Sequence, residues 1–209
     1  SWGLICSSVA TLGAPAAIVR FLSRYPEADR GKHLKAILLI AGTGIGLCLM
    51  VISIWGGDWI GNMDAKNTDL LKNHVGGFIM IIAIMSLMAI FRALLTLQLK
   101  TGIISWVDEI WQKGSYLVLG GALLLGYLPL ESFVPAYIIS WFVSLLLLLL
   151  PTVKLWPSFN DPVPWSEMRP LADFSLFSLL AGGASIIANQ LDYVMIGLYL
   201  GLEEVPVYT

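Results

Sequence analysis

Arginine carries the clearest chemical potential in this sequence, because several arginines sit at the ends of long apolar runs. Arg20 and Arg24 stand four residues apart, just before Pro26. Arg92, Thr96 and Lys100 form a second ladder with the same step. Residues four apart share a helix face. One account of these ladders is interfacial. Basic side chains at the cytoplasmic end of a spanning helix favour its dipole and snorkel to lipid phosphates. The other account sets Arg20 and Arg92, the deepest of the group, against a central cavity where they hold an anionic head group. Arg24 and Lys100 would then guide that group from the cytoplasmic entrance. The planar guanidinium suits pyrophosphate, since it donates two parallel hydrogen bonds. Both accounts stay open at this point.

A third polar set lies further on. Ser178, Gly182, Ser185, Asn189, Asp192 and Tyr199 are separated by steps of 4, 3, 4, 3 and 7, which is one face of a helix. Leu180, Ile187 and Val194 occupy the opposite face. Polar groups at membrane depth are costly and therefore suggestive. They could form a helix-packing seam, with Asp192 paired to a basic neighbour, or line a cavity. The candidate substrate-binding set is thus Arg20, Arg24, Arg92, Lys100, Ser185, Asn189 and Asp192.

Signatures of catalysis are missing. His33 and His74 are isolated, with no HExxH pattern and no cysteine partner. There is no Walker A loop, no GxSxG elbow and no DxxxD pair to hold magnesium. Asp108 and Glu109 are adjacent rather than helically stacked, and read as dipole partners at a helix start. Glu109 and Lys113 can pair at i,i+4. Cys6 and Cys48 sit in apolar runs and read as small buried hydrophobes. No catalytic residue, metal or cofactor is expected.

What must position these residues is a membrane bundle. Of 209 residues, 12 are Lys or Arg and 14 are Asp or Glu, so 12% are charged and 57% hydrophobic. A soluble domain averages roughly 25% charged. A globule of this length could not hide so much apolar side chain. A net charge of −2 without a basic stripe disfavours nucleic acid. Composition also excludes disorder and a disulfide scaffold.

A spanning helix needs about 20 mostly apolar residues. Six stretches fit: 1–19, 34–55, 75–99, about 103–128, 133–150 and 174–200. They are too long and too continuous for barrel strands. Charge orients them. The connection after the first carries Arg20, Arg24, Arg30, Lys32 and Lys35; that between the third and fourth carries Arg92, Lys100 and Lys113; that between the fifth and sixth carries Lys154 and Arg169. Lys66 and Lys72 complete the 12. The basic connections fall on one side if all six stretches cross. The first segment therefore runs inward and the sixth outward. Trp55 and Trp59 mark an outer interface, and Trp106, Trp111, Trp156 and Trp165 an inner one.

Gly13 and Pro15 interrupt the first segment. The pairs Gly42/Gly46 and Gly197/Gly201 read as close-packing positions. Five prolines between 151 and 170 mark a cytoplasmic linker, too Pro-rich for a long helix. Residues 1–151 are expected to form five helices of an N-terminal lobe, 152–172 the linker, and 173–209 the first helix of a second lobe. The run is apolar from Ser1 and stops just after a loop at Thr209, so an internal piece of a longer protein is expected.

These pieces resemble a known family. The run Leu12-Gly13-Ala14-Pro15-Ala16-Ala17-Ile18-Val19-Arg20-Phe21-Leu22 is similar to the end of the second helix of polysaccharide-biosynthesis flippases. The run Leu94 to Lys100, followed by Asp108-Glu109-Ile110, resembles their fourth-to-fifth helix junction. The stretch Asn189 to Gly201, then Glu204-Val205 and Tyr208, resembles their seventh helix and the loop after it. Phe177 stands where that family usually has proline, and Pro206 where it has glycine. The resemblance is to the oligosaccharide flippase branch of the multidrug/oligosaccharidyl-lipid/polysaccharide superfamily, and covers helices two to seven of a two-lobed transporter. It implies an all-α, polytopic inner-membrane protein that flips an undecaprenyl-pyrophosphate-linked oligosaccharide by alternating access. Implied partners are that lipid-linked substrate, membrane lipids and other polysaccharide-assembly proteins, with no nucleic acid. The alternatives are a multidrug antiporter or lipid II flippase of the same superfamily, or a membrane-embedded polysaccharide polymerase. An antiporter should centre on acids, and only Asp192 lies well inside a span. A polymerase needs large outer loops, and the longest here is 56–74.

Overall fold

The computed structural model describes residues 2–25, 27–61, 75–155 and 164–199. Within these, side chains are described except at 2–5, 27–29, 55–61, 75, 130–131, 154–155, 166, 183 and 185–199. Among the described residues the regular structure is entirely helical. The order is α1 (Trp2–Ala10), α2 (Ala14–Leu22), α3 (Glu27–Gly61), α4 (Val75–Leu97), α5 (Thr101–Ser105), a π-helical stretch (Trp106–Gln112), α6 (Lys113–Leu124), α7 (Leu130–Leu149), a 3-10 turn (Leu150–Leu155) and α8 (Trp165–Tyr199). Among the described residues three stretches are long and apolar enough to cross a membrane: Arg30–Ile54, Gly76–Leu97 and Ser132–Val153.

The first segment is broken where the sequence placed the break. Leu12 and Gly13 both take left-handed backbone, at φ 48° and 72°. Pro15 then occupies the first turn of α2, where its missing N–H costs nothing. At about 1.5 Å per residue neither nine-residue half spans a bilayer alone. The fourth segment, by contrast, runs on from α5 through the π stretch into α6. Its length is sufficient, but Asp108, Glu109 and Lys113 make its first part polar.

α4 ends in a 6→1 hydrogen bond from the Lys100 N–H to the Leu95 carbonyl, at 2.9 Å. Leu99 holds the left-handed position there, at φ 58°, where glycine is usual. α6 closes in the same way with Gly126 at φ 76°.

The core lies around α4. Ile84, Met88, Phe91 and Leu95 repeat at helical spacing and are buried against Ala14, Ala17, Ile18 and Leu22 of α2. Leu34, Ile37 and Ala41 of α3 and Leu145 and Leu148 of α7 close the cluster. The outward faces are apolar, including Leu47, Met50 and Ile54 of α3 and Leu117 and Val118 of α6. Such faces need lipid or protein cover.

Two sequence expectations change. Gly42 and Gly46 are exposed and an added Cβ at either would meet nothing within 4 Å. The packed stripe of α3 is Leu34, Ile37, Ala41 and Gly44, so the close approach falls at Gly44, against the Ala10 carbonyl and the Leu12 side chain. Gly201 lies outside the described residues, and the side chains around Gly197 do too. The second change concerns the linker, whose last part is helix rather than loop. The Pro164 carbonyl accepts the N–H groups of Glu167 and Met168 at 3.0 and 3.3 Å, opening α8 at Trp165. Pro170, near this start, removes only one further bond.

Candidate functional site

The basic connections gather at one end of the bundle. The Lys32 ammonium donates to Glu167 Oε1 at 2.8 Å, joining the start of α3 to the start of α8. The Leu150–Leu155 turn packs against α4. The Tyr25 ring stacks on His33 at 3.7 Å, and Arg30 Nε donates to the Tyr25 carbonyl at 3.0 Å.

Arg20 leaves α2 at its last turn and is exposed. Its guanidinium lies over the Phe174 ring of α8, 4.5 Å from the centroid. Phe21 meets the same ring edge-on at 5.1 Å. A ring face attracts a cation without consuming its hydrogen-bond donors, so Arg20 keeps its fork available. Arg24 and Lys100 are also exposed.

Arg92 is placed differently. Its Nη2 donates to Asp108 Oδ1 at 2.6 Å, and the two side chains are 33% and 30% exposed. Arg92 Nε is buried without a hydrogen-bond partner. Thr96 Oγ1 donates to the Arg92 carbonyl at 2.8 Å, so it serves the backbone rather than a ligand. Arg20 and Arg92 therefore sit on adjacent packed helices, α2 and α4, with separate partners.

The Arg92 partner was missed in the sequence, where Asp108 read as a dipole residue. The signal was present. α4 and α5 turn back on each other at Lys100, and Arg92 and Asp108 are equidistant from it. An antiparallel pair folded at that point brings them level. The π-helical turn aims Asp108 at α4 while Glu109 and Ile110 stay exposed. Glu109 pairs with Lys113, as its spacing implied.

Beyond this pair α6 and α7 share a polar and aromatic seam. Ser140 Oγ donates to Ser115 Oγ at 2.7 Å, and the Trp111 indole N–H to the Ser140 carbonyl at 3.4 Å. Tyr116 stacks on Tyr137 at 5.5 Å, with Phe133 and Trp141 continuing the column.

The polar face of the sixth segment is described only at its start. Leu171 and Ser175 are buried and Ser178 half-buried, whereas Leu176, Phe177 and Leu180 are exposed. This face turns toward α2 at Ser175, and one to two turns on, at Gly182, it is exposed with nothing within 4 Å of an added Cβ. Gly13 seats directly on its Ser175 end: an added Cβ would run into the Ser175 carbonyl oxygen. Ser185, Asn189 and Asp192 continue this register along α8, and their side chains lie outside the described residues.

No curated protein and no solved structure matches the chain significantly. A family model described as polysaccharide biosynthesis protein matches residues 2–209. With a helical scaffold, membrane-length apolar helices and a match over almost its whole length, the chain belongs to the polysaccharide biosynthesis protein family.

Proposed function

We infer that the protein flips a lipid-linked oligosaccharide across the cytoplasmic membrane, as a transporter of the multidrug/oligosaccharidyl-lipid/polysaccharide superfamily. All six segments cross in this reading. α1 with α2 forms one broken span, and residues 101–124 form the fourth. The basic end of the bundle is cytoplasmic, including the Pro-rich connection, and the membrane is the inner one. The observation that carries the reading is Arg20. It is an exposed guanidinium held by a ring face at the junction of α2 and α8, inside a chain of this family. Such a cation can receive the pyrophosphate of a lipid carrier and release it, because among the described residues no carboxylate is paired with it. Arg24 and Lys100 supply further positive charge at the same end. Ser185, Asn189 and Asp192 are assigned to the path beyond from their helical spacing in the sequence. The substrate is then an undecaprenyl-pyrophosphate-linked repeat unit, and surface polysaccharide assembly proteins act before and after it.

The test is complementation. The full-length gene is placed in a strain lacking its own flippase, and surface polysaccharide is measured. Restoration is expected, and its loss with Arg20→Ala at normal protein abundance. No restoration by a normally inserted protein in any matched polysaccharide background would contradict the reading.

A further inference from the structure

The Arg92–Asp108 pair is incomplete in an informative way. A guanidinium presents Nε–H and Nη2–H along one edge, spaced for two oxygens of a single acceptor. Asp108 Oδ1 takes Nη2 at 2.6 Å, and the buried Nε on that edge has no hydrogen-bond partner. A buried donor left unpaired beside an ion pair is unfavourable. Gln112, one turn beyond Asp108 on the π-helical stretch, also holds a buried amide nitrogen without a partner. The edge is therefore shaped for a two-oxygen anion and is filled by a one-oxygen contact. Asp108 itself sits on a wide helical turn of the kind common at functional sites.

We propose that Asp108 is a built-in competitor that holds the phosphate-binding edge of Arg92 shut and yields it to a phosphoryl group. The inference rests on the transport reading above and adds a residue outside the set read from the sequence. A phosphoryl group brings two oxygens to one edge, satisfies both Nη2 and Nε, and displaces the single Asp108 contact. The displaced carboxylate remains beside the anion and repels it. Binding is thereby kept weak enough to reverse, as a carrier requires. Asp108 is a positioning residue here, since it acts through Arg92 and makes no contact with the ligand.

The experiment uses the full-length protein in detergent and follows tryptophan fluorescence, with farnesyl pyrophosphate as probe. Asp108→Asn keeps the shape and removes the competing charge. It is expected to tighten the apparent Kd about tenfold, equivalent to about 1.4 kcal/mol. Glu109→Gln, which removes an exposed carboxylate paired to Lys113, should leave Kd unchanged. Arg92→Lys should cancel the gain of Asp108→Asn, because lysine lacks the two-donor edge. Inorganic pyrophosphate tests the source of the recognised chemistry. A tenfold gain for both probes assigns the edge to the phosphoryl group alone, and a gain only with the isoprenyl probe assigns it to a lipid head group. Each supports the proposal. An unchanged or weaker Kd in an Asp108→Asn protein with an unaltered melting temperature overturns it. If Arg20→Ala abolishes probe binding while Asp108→Asn has no effect, only this inference fails. If the wild-type protein binds neither probe, the transport reading fails with it.

Discussion

Gly13→Ala isolates the joint between the α1–α2 break and α8. Gly13 holds φ 72°, and alanine in left-handed backbone costs about 1–2 kcal/mol. The new Cβ would also run into the Ser175 carbonyl oxygen and lie 2.9 Å from the Leu179 nitrogen. Both are backbone atoms of α8, so no side chain can rotate away. Overpacking of this kind costs about 1–3 kcal/mol more. The sum, about 2–5 kcal/mol, is a large share of a typical stability of about 5–15 kcal/mol. Gly46→Ala is the contrasting change. It sits in regular helix with nothing within 4 Å of the added carbon, and should gain about 0.5–1 kcal/mol. The assay is thermal unfolding of the detergent-solubilised full-length protein, followed by tryptophan fluorescence, with membrane abundance measured in parallel. Gly13→Ala should lower the midpoint by several degrees and reduce abundance, while Gly46→Ala does neither. Equal midpoints for the two variants would refute the close seating of Gly13 on α8.

Three further outcomes follow from the same geometry. Leu99→Gly relieves left-handed strain at an 87% exposed side chain and should stabilise by about 0.5–1 kcal/mol, read as a raised midpoint; a lowered one would show that Leu99 packs against something. Lys32→Glu should weaken the contact of α3 with α8, and the double exchange with Glu167→Lys should restore it, with a coupling of about 0.5–1 kcal/mol for so exposed a pair; additive effects would mean the pair contributes nothing. By the spacing in the sequence alone, cysteines at Ser185, Asn189 and Asp192 should react with soluble reagents while those at Ile187 and Val194 do not. Equal protection of both faces would favour a packing seam.

Helices were legible because their signal is local. Apolar runs, the Gly13–Pro15 break and the Glu109–Lys113 spacing are each contained within one or two turns. Packing partners were not, because they depend on which face turns inward. Gly42 and Gly46 satisfy the small-residue spacing, yet the stripe through Ala41 and Gly44 is the one that packs. Proline count argued against helix at 165–170, whereas a helix tolerates proline near its start and the Pro164 carbonyl supplied one. At the candidate site, Arg20 was legible as a cation at a helix end, but not the ring beneath it, since Phe174 lies far along the chain. Arg92 was legible too. Its neutralisation by Asp108 required the turn at Lys100 and the extra width of the π-helical stretch.

The most direct measurement of the transport claim is flipping itself. The full-length protein is reconstituted into liposomes with a labelled undecaprenyl-pyrophosphate oligosaccharide, and the label reaching the opposite leaflet is read by an enzyme confined to that side. Wild-type protein should move the lipid, Arg20→Ala should slow it about tenfold or more, a net loss of about 1–3 kcal/mol per deleted contact, and Glu109→Gln should have no effect. Movement no faster than in protein-free liposomes, or at the wild-type rate in a double Arg20→Ala, Arg92→Ala variant, would contradict the assignment of these arginines to a transported pyrophosphate.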